Sequence, residues 1–209
     1  MLINRQIGIV EFGYRFLKIA FLSLFVATLS GCVTISATPE NIQVFRSKEL
    51  LSVKDLSLAV VPLENFSTTP NAGVIVAKLV STELYVQGVT NQPPEDTIRR
   101  YLKTNSVEKD RVMKPYNSTR LGKRLQVDMI LTGTVTEYSY QHGLRADPIV
   151  SLVLSLLRTK DGVVMWKASH SMRGSIIGSR ETLASTSKSL VQQLVSRLLL
   201  KKSTPKDAS

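Results

Sequence analysis

The sequence is poor in the residues that carry covalent or metal-dependent chemistry. Its 209 residues include one cysteine, two histidines and one tryptophan. A single thiol cannot form an intramolecular disulfide, so packing must stabilise the fold. The two histidines are His142 and His170. They would need carboxylate partners such as Glu137 or Asp147 to complete a zinc site, and no H-E-x-x-H spacing is present.

Motifs of catalysis are also missing. The chain has no G-x-S-x-G elbow, no G-x-G-x-x-G fingerprint and no Walker loop. The segment 174–178 reads Gly-Ser-Ile-Ile-Gly and does not reproduce the elbow. His170 alternates with Trp166 and Ala168, which favours a packed strand histidine, whereas His142 precedes a glycine and favours a turn. We therefore predict a protein that is not an enzyme and that has no metal site and no cofactor.

Long hydrophobic runs are absent as well. The apolar stretch 19–29 has eleven residues. As a helix it would rise about 16 Å, which is too short to cross a hydrocarbon core of about 30 Å. Arg5, Arg15 and Lys18 outnumber Glu11 ahead of this stretch, and a charged start followed by a short apolar run is typical of a secretory signal peptide. An uncleaved anchor is the alternative, but Arg15 and Lys18 would interrupt it.

The four residues that end this stretch, Leu29-Ser30-Gly31-Cys32, resemble a bacterial lipobox. In that class, small residues ahead of the cleavage site allow a peptidase to bind the backbone in an extended conformation. The cysteine thiol then carries diacylglycerol. The resemblance implies cleavage between Gly31 and Cys32, lipidation of Cys32 with acyl chains such as palmitate, and attachment to a membrane. Because Val33 is not aspartate, the sorting rule of the class implies the outer membrane, with the domain facing the periplasm.

The chain after Gly31 is long enough for a single domain. Removal of residues 1–31 leaves 178 of the 209 residues, enough for one domain with a real core. The first part of this chain mixes Ser, Thr and a proline and predicts at most a short helix at 46–51. The predicted organisation is a lipoprotein signal peptide (1–31), a tether (32–54), an α/β periplasmic domain (55–201) and a disordered tail (202–209).

Acidic residues are scarce, because 16 Asp and Glu face 27 Lys and Arg and leave a net charge of +11. The leader accounts for +2 of this charge, since three basic residues there oppose one acidic residue. A basic exported protein is attracted to anionic surfaces, here anionic lipid, lipopolysaccharide or cell-wall polymer. Nucleic acid is excluded by the compartment and by the scarcity of aromatic residues among the cations.

The excess charge is concentrated between residues 99 and 124. Nine basic residues there are opposed only by Glu108 and Asp110, which gives a net charge of +7 over 26 residues. The stretch is either a set of solvated helix faces or a contact surface for an anionic partner. The predicted contacts are Arg99, Arg100, Lys103, Arg120, Lys123 and Arg124.

Hydrophobic periodicity predicts an α/β domain with helices packed on a mixed sheet. Strands are predicted at 58–62, around 89–90, and at 129–140, 149–158 and 163–173. Helices are predicted from Asn71 to Gly88, after the Pro93-Pro94 pair, at 118–125 and at 180–201. The order is therefore β-α-β-α-(α)-β-β-β-α in a single domain.

Local features refine this prediction. Gly133, at the centre of a long strand, indicates a bulge or a close backbone approach. The Asp-Gly pair within 159–162 predicts a tight hairpin turn. On the second hairpin strand Val164 and Trp166 share a face, which should pack against the final helix. The hairpin 149–173 is expected to present an edge strand to a partner chain.

Three segments, 58–67, 130–135 and 164–169, read LAVVPLENFS, ILTGTV and VMWKAS. They resemble the superfamily of outer-membrane lipoproteins that includes the curli-secretion channel and the activators of penicillin-binding proteins. The resemblance implies an α/β domain similar to the amino-terminal domain of TolB.

The members of this superfamily have two roles. Channel members insert long hairpins into the membrane, with about 9 to 11 residues in each strand, and the loops 141–148 and 174–179 are too short for that. Activator members reach a synthase through a long spacer, which this chain lacks. We therefore predict an assembly or accessory component of an envelope complex, of the secretion or surface-structure type. Its partner would be an envelope protein or a second copy. The first alternative is that the protein activates a peptidoglycan synthase. The second and less favoured alternative is that it is an envelope enzyme.

Replacing Cys32 with serine tests the lipobox. Serine has no thiol to accept diacylglycerol, so we expect an uncleaved or mislocalised precursor that carries no lipid. Metabolic labelling with a fatty-acid analogue should mark the wild-type protein and leave Cys32→Ser unlabelled. Ser30→Ala is a matched control, because it keeps a small residue ahead of the cut and should still be labelled. Equal labelling of the wild type and Cys32→Ser would contradict the prediction.

Overall fold

The computed structural model describes residues 42–104, 115–141, 146–174 and 181–200. The strands are β1 (Gln43–Arg46), β2 (Leu58–Val60), β3 (Glu64–Asn65), β4 (Met129–Gln141), β5 (Asp147–Arg158) and β6 (Val164–Arg173). The helices are α1 (Ala72–Val86), α2 (Glu95–Thr104), α3 (Pro115–Leu125) and α4 (Leu183–Leu199). These elements confirm the predicted α/β class. Within the described ranges, no helix has the length and apolar character needed to cross a membrane. The predicted signal peptide, Cys32, and the predicted tail lie outside them.

The strands form one mixed sheet in the order β1-β6-β5-β4-β2, and β3 pairs with β4 beyond β2. β2 and β3 run parallel to β4, whereas the β4–β5, β5–β6 and β1–β6 pairs are antiparallel. Parallel neighbours need a long crossover, and α1, α2 and α3 provide it between β3 and β4. The mixed sheet with packed helices that the sequence predicts is thus confirmed.

The sheet is covered on both faces near β2, which explains why this strand is apolar throughout. Leu58 and Val60 belong to the main core, which also contains the buried residues of α1 and α4. Ala59 and Val61 belong to a second, smaller core with residues of α2 and α3. A short apolar run without alternation is what a strand buried on both faces produces.

The tether ends earlier than the sequence predicted, because Gln43–Arg46 forms strand β1 at the edge of the sheet. The Arg46 guanidinium donates from Nη1 to the Leu198 carbonyl (2.7 Å) and from Nη2 to the Leu50 carbonyl (3.2 Å). Leu50 is itself buried in the main core. The prediction of a short helix at 46–51 is therefore wrong, because pairing with a distant strand determines the conformation of this segment.

The strand expected around 89–90 is also wrong. The Val89 N–H donates to the Leu84 carbonyl (2.8 Å) and closes α1, just after Gly88 ends the helix with a φ of +91°. The second parallel strand is instead β3, which lies between the predicted strand 58–62 and the predicted helix from Asn71 and was not expected from the sequence. It lies at the edge of the sheet along β4, where polar side chains can face water.

The four helices lie where the periodicity predicts them, with shifts at their starts. α3 begins at Pro115, three residues before the predicted 118, and proline is favoured at a first helical position. α4 begins at Leu183, because Thr182 and Ser185 form a reciprocal cap. The Ser185 N–H donates to Thr182 Oγ1 (3.2 Å), and the Thr182 N–H donates to Ser185 Oγ (2.8 Å).

Two predictions about turns and close approaches are confirmed. In the β5–β6 turn the Arg158 N–H donates to the Val163 carbonyl (2.9 Å), and Gly162 has a φ of +75° that favours glycine. A Cβ atom at Gly133 would overlap the Val153 carbonyl oxygen, so β4 and β5 approach closely there. The register shift of β4 lies further along the strand.

Trp166 lies on the inner face of β6 as predicted and is fully buried, with 0% of its surface exposed. Val164, which was predicted to share this face, is 36% exposed, and Met165 is buried next to Trp166. The Val164 prediction is wrong because the register shifts between Leu156 and Leu157 on β5. Such an irregularity breaks the strict alternation of faces.

Truncation of Trp166 should be severely destabilising. Trp166→Ala is expected to lower the free energy of unfolding by about 3 to 5 kcal/mol, because the side chain fills the main core. Trp166→Phe should cost less, since it keeps a ring and removes an indole N–H that has no partner in the described structure. Phe45→Ala, at a side chain 55% exposed, is the surface control. Denaturant unfolding that ranks Trp166→Ala with Phe45→Ala would show that Trp166 is not in the core.

Candidate functional site

Helices α2 and α3 both pack on the second core and leave most of their surface in water. Ile98 of α2 and Leu121 of α3 are buried there, and Tyr101 and Leu125 are partly buried at its margin. The remaining positions of both helices are largely polar or charged. Each helix therefore has one narrow apolar stripe, which fixes the direction of its polar face.

Between the two helices lies an open cleft of about 820 Å³. Its lining residues are Thr97, Arg100 and Tyr101 of α2 with Arg120, Lys123, Arg124 and Leu125 of α3. We call it the basic cleft, because four of the seven lining residues that the structure describes are cationic and none of these seven is acidic. The spacing i, i+3 and i+4 puts Arg120, Lys123 and Arg124 on one side of α3, and Thr97, Arg100 and Tyr101 have the same spacing on α2. A helical projection of α2 would have placed Thr97 and Tyr101 beside Arg100.

Within the described ranges, no carboxylate is paired with a cation of the basic cleft. Among the described residues, Arg120, Lys123 and Arg124 form no ion pair. Arg100 Nε donates to the Asp96 backbone carbonyl at 3.4 Å. All four cationic residues are exposed. Like charges around one concave opening create a positive potential that concentrates anions.

The other two predicted contacts, Arg99 and Lys103, lie outside the basic cleft. They line a second cavity of about 500 Å³ between α1 and α2. The Arg99 guanidinium forms an ion pair with Asp96. On the same cavity Lys78 Nζ lies 3.3 Å from Glu95 Oε1. The structure therefore divides the six predicted residues into four that line the basic cleft and two that line the second cavity.

The α3 side of the basic cleft is fixed to the sheet. An added Cβ atom at Gly122 would overlap the Thr159 side chain, so helix and hairpin turn are in tight contact. Thr159 Oγ1 donates to the Val127 carbonyl (2.7 Å) just after α3. The Asp128 carboxylate accepts from Ser57 Oγ (2.6 Å) and from the Ser57 N–H (2.9 Å). These hydrogen bonds, the hydroxyl one first, lower the pKa of the Asp128 carboxyl.

The residues considered for metal binding are dispersed over the sheet. His170 is half-buried within β6, in agreement with a packed strand histidine. Glu137 lies on β4 and Asp147 begins β5. Within the described ranges, no three His, Cys, Asp or Glu side chains lie close enough to hold a metal ion. His142 lies outside these ranges.

The edge of the sheet next to β6 is strand β1, which we call the free edge, and the β5–β6 hairpin lies inside it in the described part of the chain. β6 pairs with β5 on one side and, from Trp166 to Ser169, with β1 on the other, so the predicted hairpin edge is wrong for this segment. In the part of the chain that the structure describes, β1 pairs with no other strand. Its Val44 and Phe45 are 43% and 55% exposed. Because this edge strand has only four residues, it is a poor template for nonspecific pairing with other chains. A specific partner can still pair with it.

Comparisons with known proteins reveal the fold but no family. No family model matches the chain, and no curated protein matches its sequence. Its structure is similar to a PelC dodecamer from Paraburkholderia phytofirmans, with a TM-score of 0.58 and 21% identity over 78% of this chain and 99% of that chain. Lipoprotein GNA1162 from Neisseria meningitidis gives a TM-score of 0.51 and 24% identity over 68% of this chain and 93% of that chain.

A third similar structure is the hypothetical protein CT253 from Chlamydia trachomatis. It has a TM-score of 0.50 and 10% identity over 68% of this chain and 94% of that chain. At such identities the likenesses establish the fold alone. The fold is thus one that a solved lipoprotein also has, while membership of the superfamily named from the sequence stays a prediction.

The contact of Gly122 with Thr159 can be tested by adding one methyl group. Gly122→Ala should destabilise the protein by about 1 to 3 kcal/mol through overpacking. Alanine regains about 1 kcal/mol in helix propensity over glycine. Because the added Cβ would overlap Thr159 Cγ2, we expect the upper part of the overpacking range and a net loss of about 1 to 2 kcal/mol. Lys123→Ala, at the next and exposed position, should change the stability by less than about 0.5 kcal/mol. Thermal melting that finds Gly122→Ala as stable as the wild type would contradict the tight contact.

Proposed function

We propose that this protein is a non-enzymatic lipoprotein, anchored through Cys32 in the outer membrane with its domain facing the periplasm. It works there as an assembly or accessory component of an envelope complex. The observation that carries the proposal is the shared fold, because the chain matches nearly the whole of PelC, which was solved as a dodecamer, and of lipoprotein GNA1162. The lipobox at Leu29-Ser30-Gly31-Cys32 supports the anchor.

The chemistry of the described cavities supports a role in binding. The described lining of the basic cleft holds cations, one threonine, one tyrosine and one leucine, without a histidine or carboxylate. The second cavity is lined by apolar residues together with paired charges. Surfaces of this kind can recognise partners by charge and shape.

The free edge β1 offers one route to self-association. None of the described strands pairs with its outer side, and Val44 and Phe45 of this strand expose apolar surface. A second copy or an envelope protein can add a strand to such an edge through main-chain hydrogen bonds. The edge is only four residues long, so side-chain contacts would have to supply much of the affinity.

The mass of the lipidated protein in mild detergent tests the assembly role. We expect light scattering to find several copies in one particle, or a partner protein that copurifies with the chain. Phe45→Asp should lower the mass if the copies meet at β1, because it adds a charge to the free edge. Phe66→Asp is the matched control, since Phe66 is 68% exposed and follows β3 at the opposite side of the sheet.

A strict monomer without any copurifying protein would contradict the assembly role. It would favour activation of a peptidoglycan synthase, which a monomer can perform by direct contact. Stimulation of a purified synthase by the monomer would then confirm the alternative. If Phe45→Asp and Phe66→Asp lower the mass of the particle equally, the contact between the copies does not lie at β1.

A further inference from the structure

We propose that the basic cleft binds the phosphate groups of anionic lipid head groups, and that the domain thereby makes a second, electrostatic contact with its membrane. The inference rests on the membrane anchorage proposed above. It goes further by assigning a ligand chemistry to four named side chains. These are Arg100, Arg120, Lys123 and Arg124.

The donors of the cleft match phosphate. A guanidinium presents N–H groups in a planar fork that can bind two phosphate oxygens at once, and an ammonium adds a compact charge. Among its described lining residues, the basic cleft combines three guanidinium groups with one ammonium and has no acidic side chain. Its volume of about 820 Å³ lies within the range of sites that hold small molecules. It can therefore accept a head group and not merely a single ion.

Helix dipoles explain only part of this charge. Lys123 and Arg124 lie in the last turn of α3, where cations stabilise a helix end. Arg120 is near the middle of α3 and Arg100 near the middle of α2, where the dipole gives no such benefit. Arg99 of α2, by contrast, is paired with Asp96 one turn away. Among the described residues, the four cations that share the basic cleft have no such carboxylate partner.

The apolar part of the lining of the basic cleft favours a lipid surface over a soluble anionic polymer. Tyr101 and Leu125, both partly buried against the second core, belong to this lining. Contact with a lipid surface would remove part of their exposed apolar area from water, whereas a hydrophilic polymer would leave it hydrated. Tyrosine, with an apolar ring and a polar tip, is also suited to a membrane interface.

The chain is short enough to keep the domain near the bilayer. Ten residues lead from Cys32 to Ile42, the first described residue. A fully extended segment of that length reaches about 35 Å. A lipid on Cys32 would thus hold the domain at a distance from which the basic cleft can meet head groups.

Vesicle binding by residues 33–209 tests the proposal without the lipid anchor. Both hydrophobic cores lie within residues 42–200, so this chain retains the whole described fold. It should cosediment with vesicles that contain phosphatidylglycerol and not with pure phosphatidylcholine vesicles. The binding should weaken as salt rises, since exposed charges are screened over about 8 Å at physiological ionic strength.

Two double variants with the same change in net charge separate the cleft from bulk attraction. Arg120→Gln with Arg124→Gln should weaken vesicle binding by about 30-fold, because each cation near an anionic surface contributes about fivefold. Arg99→Gln with Lys103→Gln removes two cations outside the basic cleft and should weaken binding less than about threefold. Circular dichroism melts verify that both variants fold.

Equal losses in the two double variants would overturn the assignment to the basic cleft. Binding to soluble polyphosphate with the same dependence on Arg120 and Arg124, but no binding to vesicles, would overturn the lipid and assign the cleft to a polymer. Because the test chain lacks Cys32, its outcome is independent of lipidation and of the mass in detergent. A negative result in the vesicle experiment can therefore be distinguished from a failure of the assembly role.

Discussion

Strand β4 imposes the constraint on which the rest of the fold depends. It pairs with β5 along one side and with both β2 and β3 along the other, and its faces enter different cores, Leu131 the main one and Ile130 the second. Gly133 allows the close approach of β5 that this central position requires. Because β2 and β3 run parallel to β4, the chain cannot return directly and must cross over through helices. The three crossover helices then cover both faces of the sheet, and two of them form the basic cleft.

The basic cleft can form because α2 and α3 each bury only a small part of their surface. The second core has six buried residues, of which each helix supplies one, so most positions on both helices are free of packing demands. Four of these positions carry cations that face one another across the basic cleft. Neighbouring like charges repel, and a sequence selected only for stability would intersperse carboxylates, as it does around Lys78 and Arg99. A local conflict of this kind is expected where a surface serves binding.

The sequence predicts the elements that local patterns encode. It does not predict the features that depend on pairing between distant segments of the chain. The long strands, the Gly162 turn and the four helices follow from periodicity and turn chemistry. β1 could not be predicted in this way, because four residues without alternation become a strand only by pairing with β6 more than 100 positions away. The exposed Val164 results from a register shift on β5, which no pattern within β6 reveals. For the site, charge density alone identified the cations, whereas their division into two sets depended on helix phase and packing.

The fold permits membrane contact and partner contact at the same time. The basic cleft lies over the β2 side of the sheet, and the free edge β1 lies at its other side. Four strand spacings separate β1 from β2 in the order of the sheet, which corresponds to roughly 19 Å. A lipid bound to α2 and α3 therefore does not obstruct a strand added to β1. Since the shared fold does not by itself define a function, the two separate surfaces are what would distinguish this chain as a membrane-held component that recruits a protein partner.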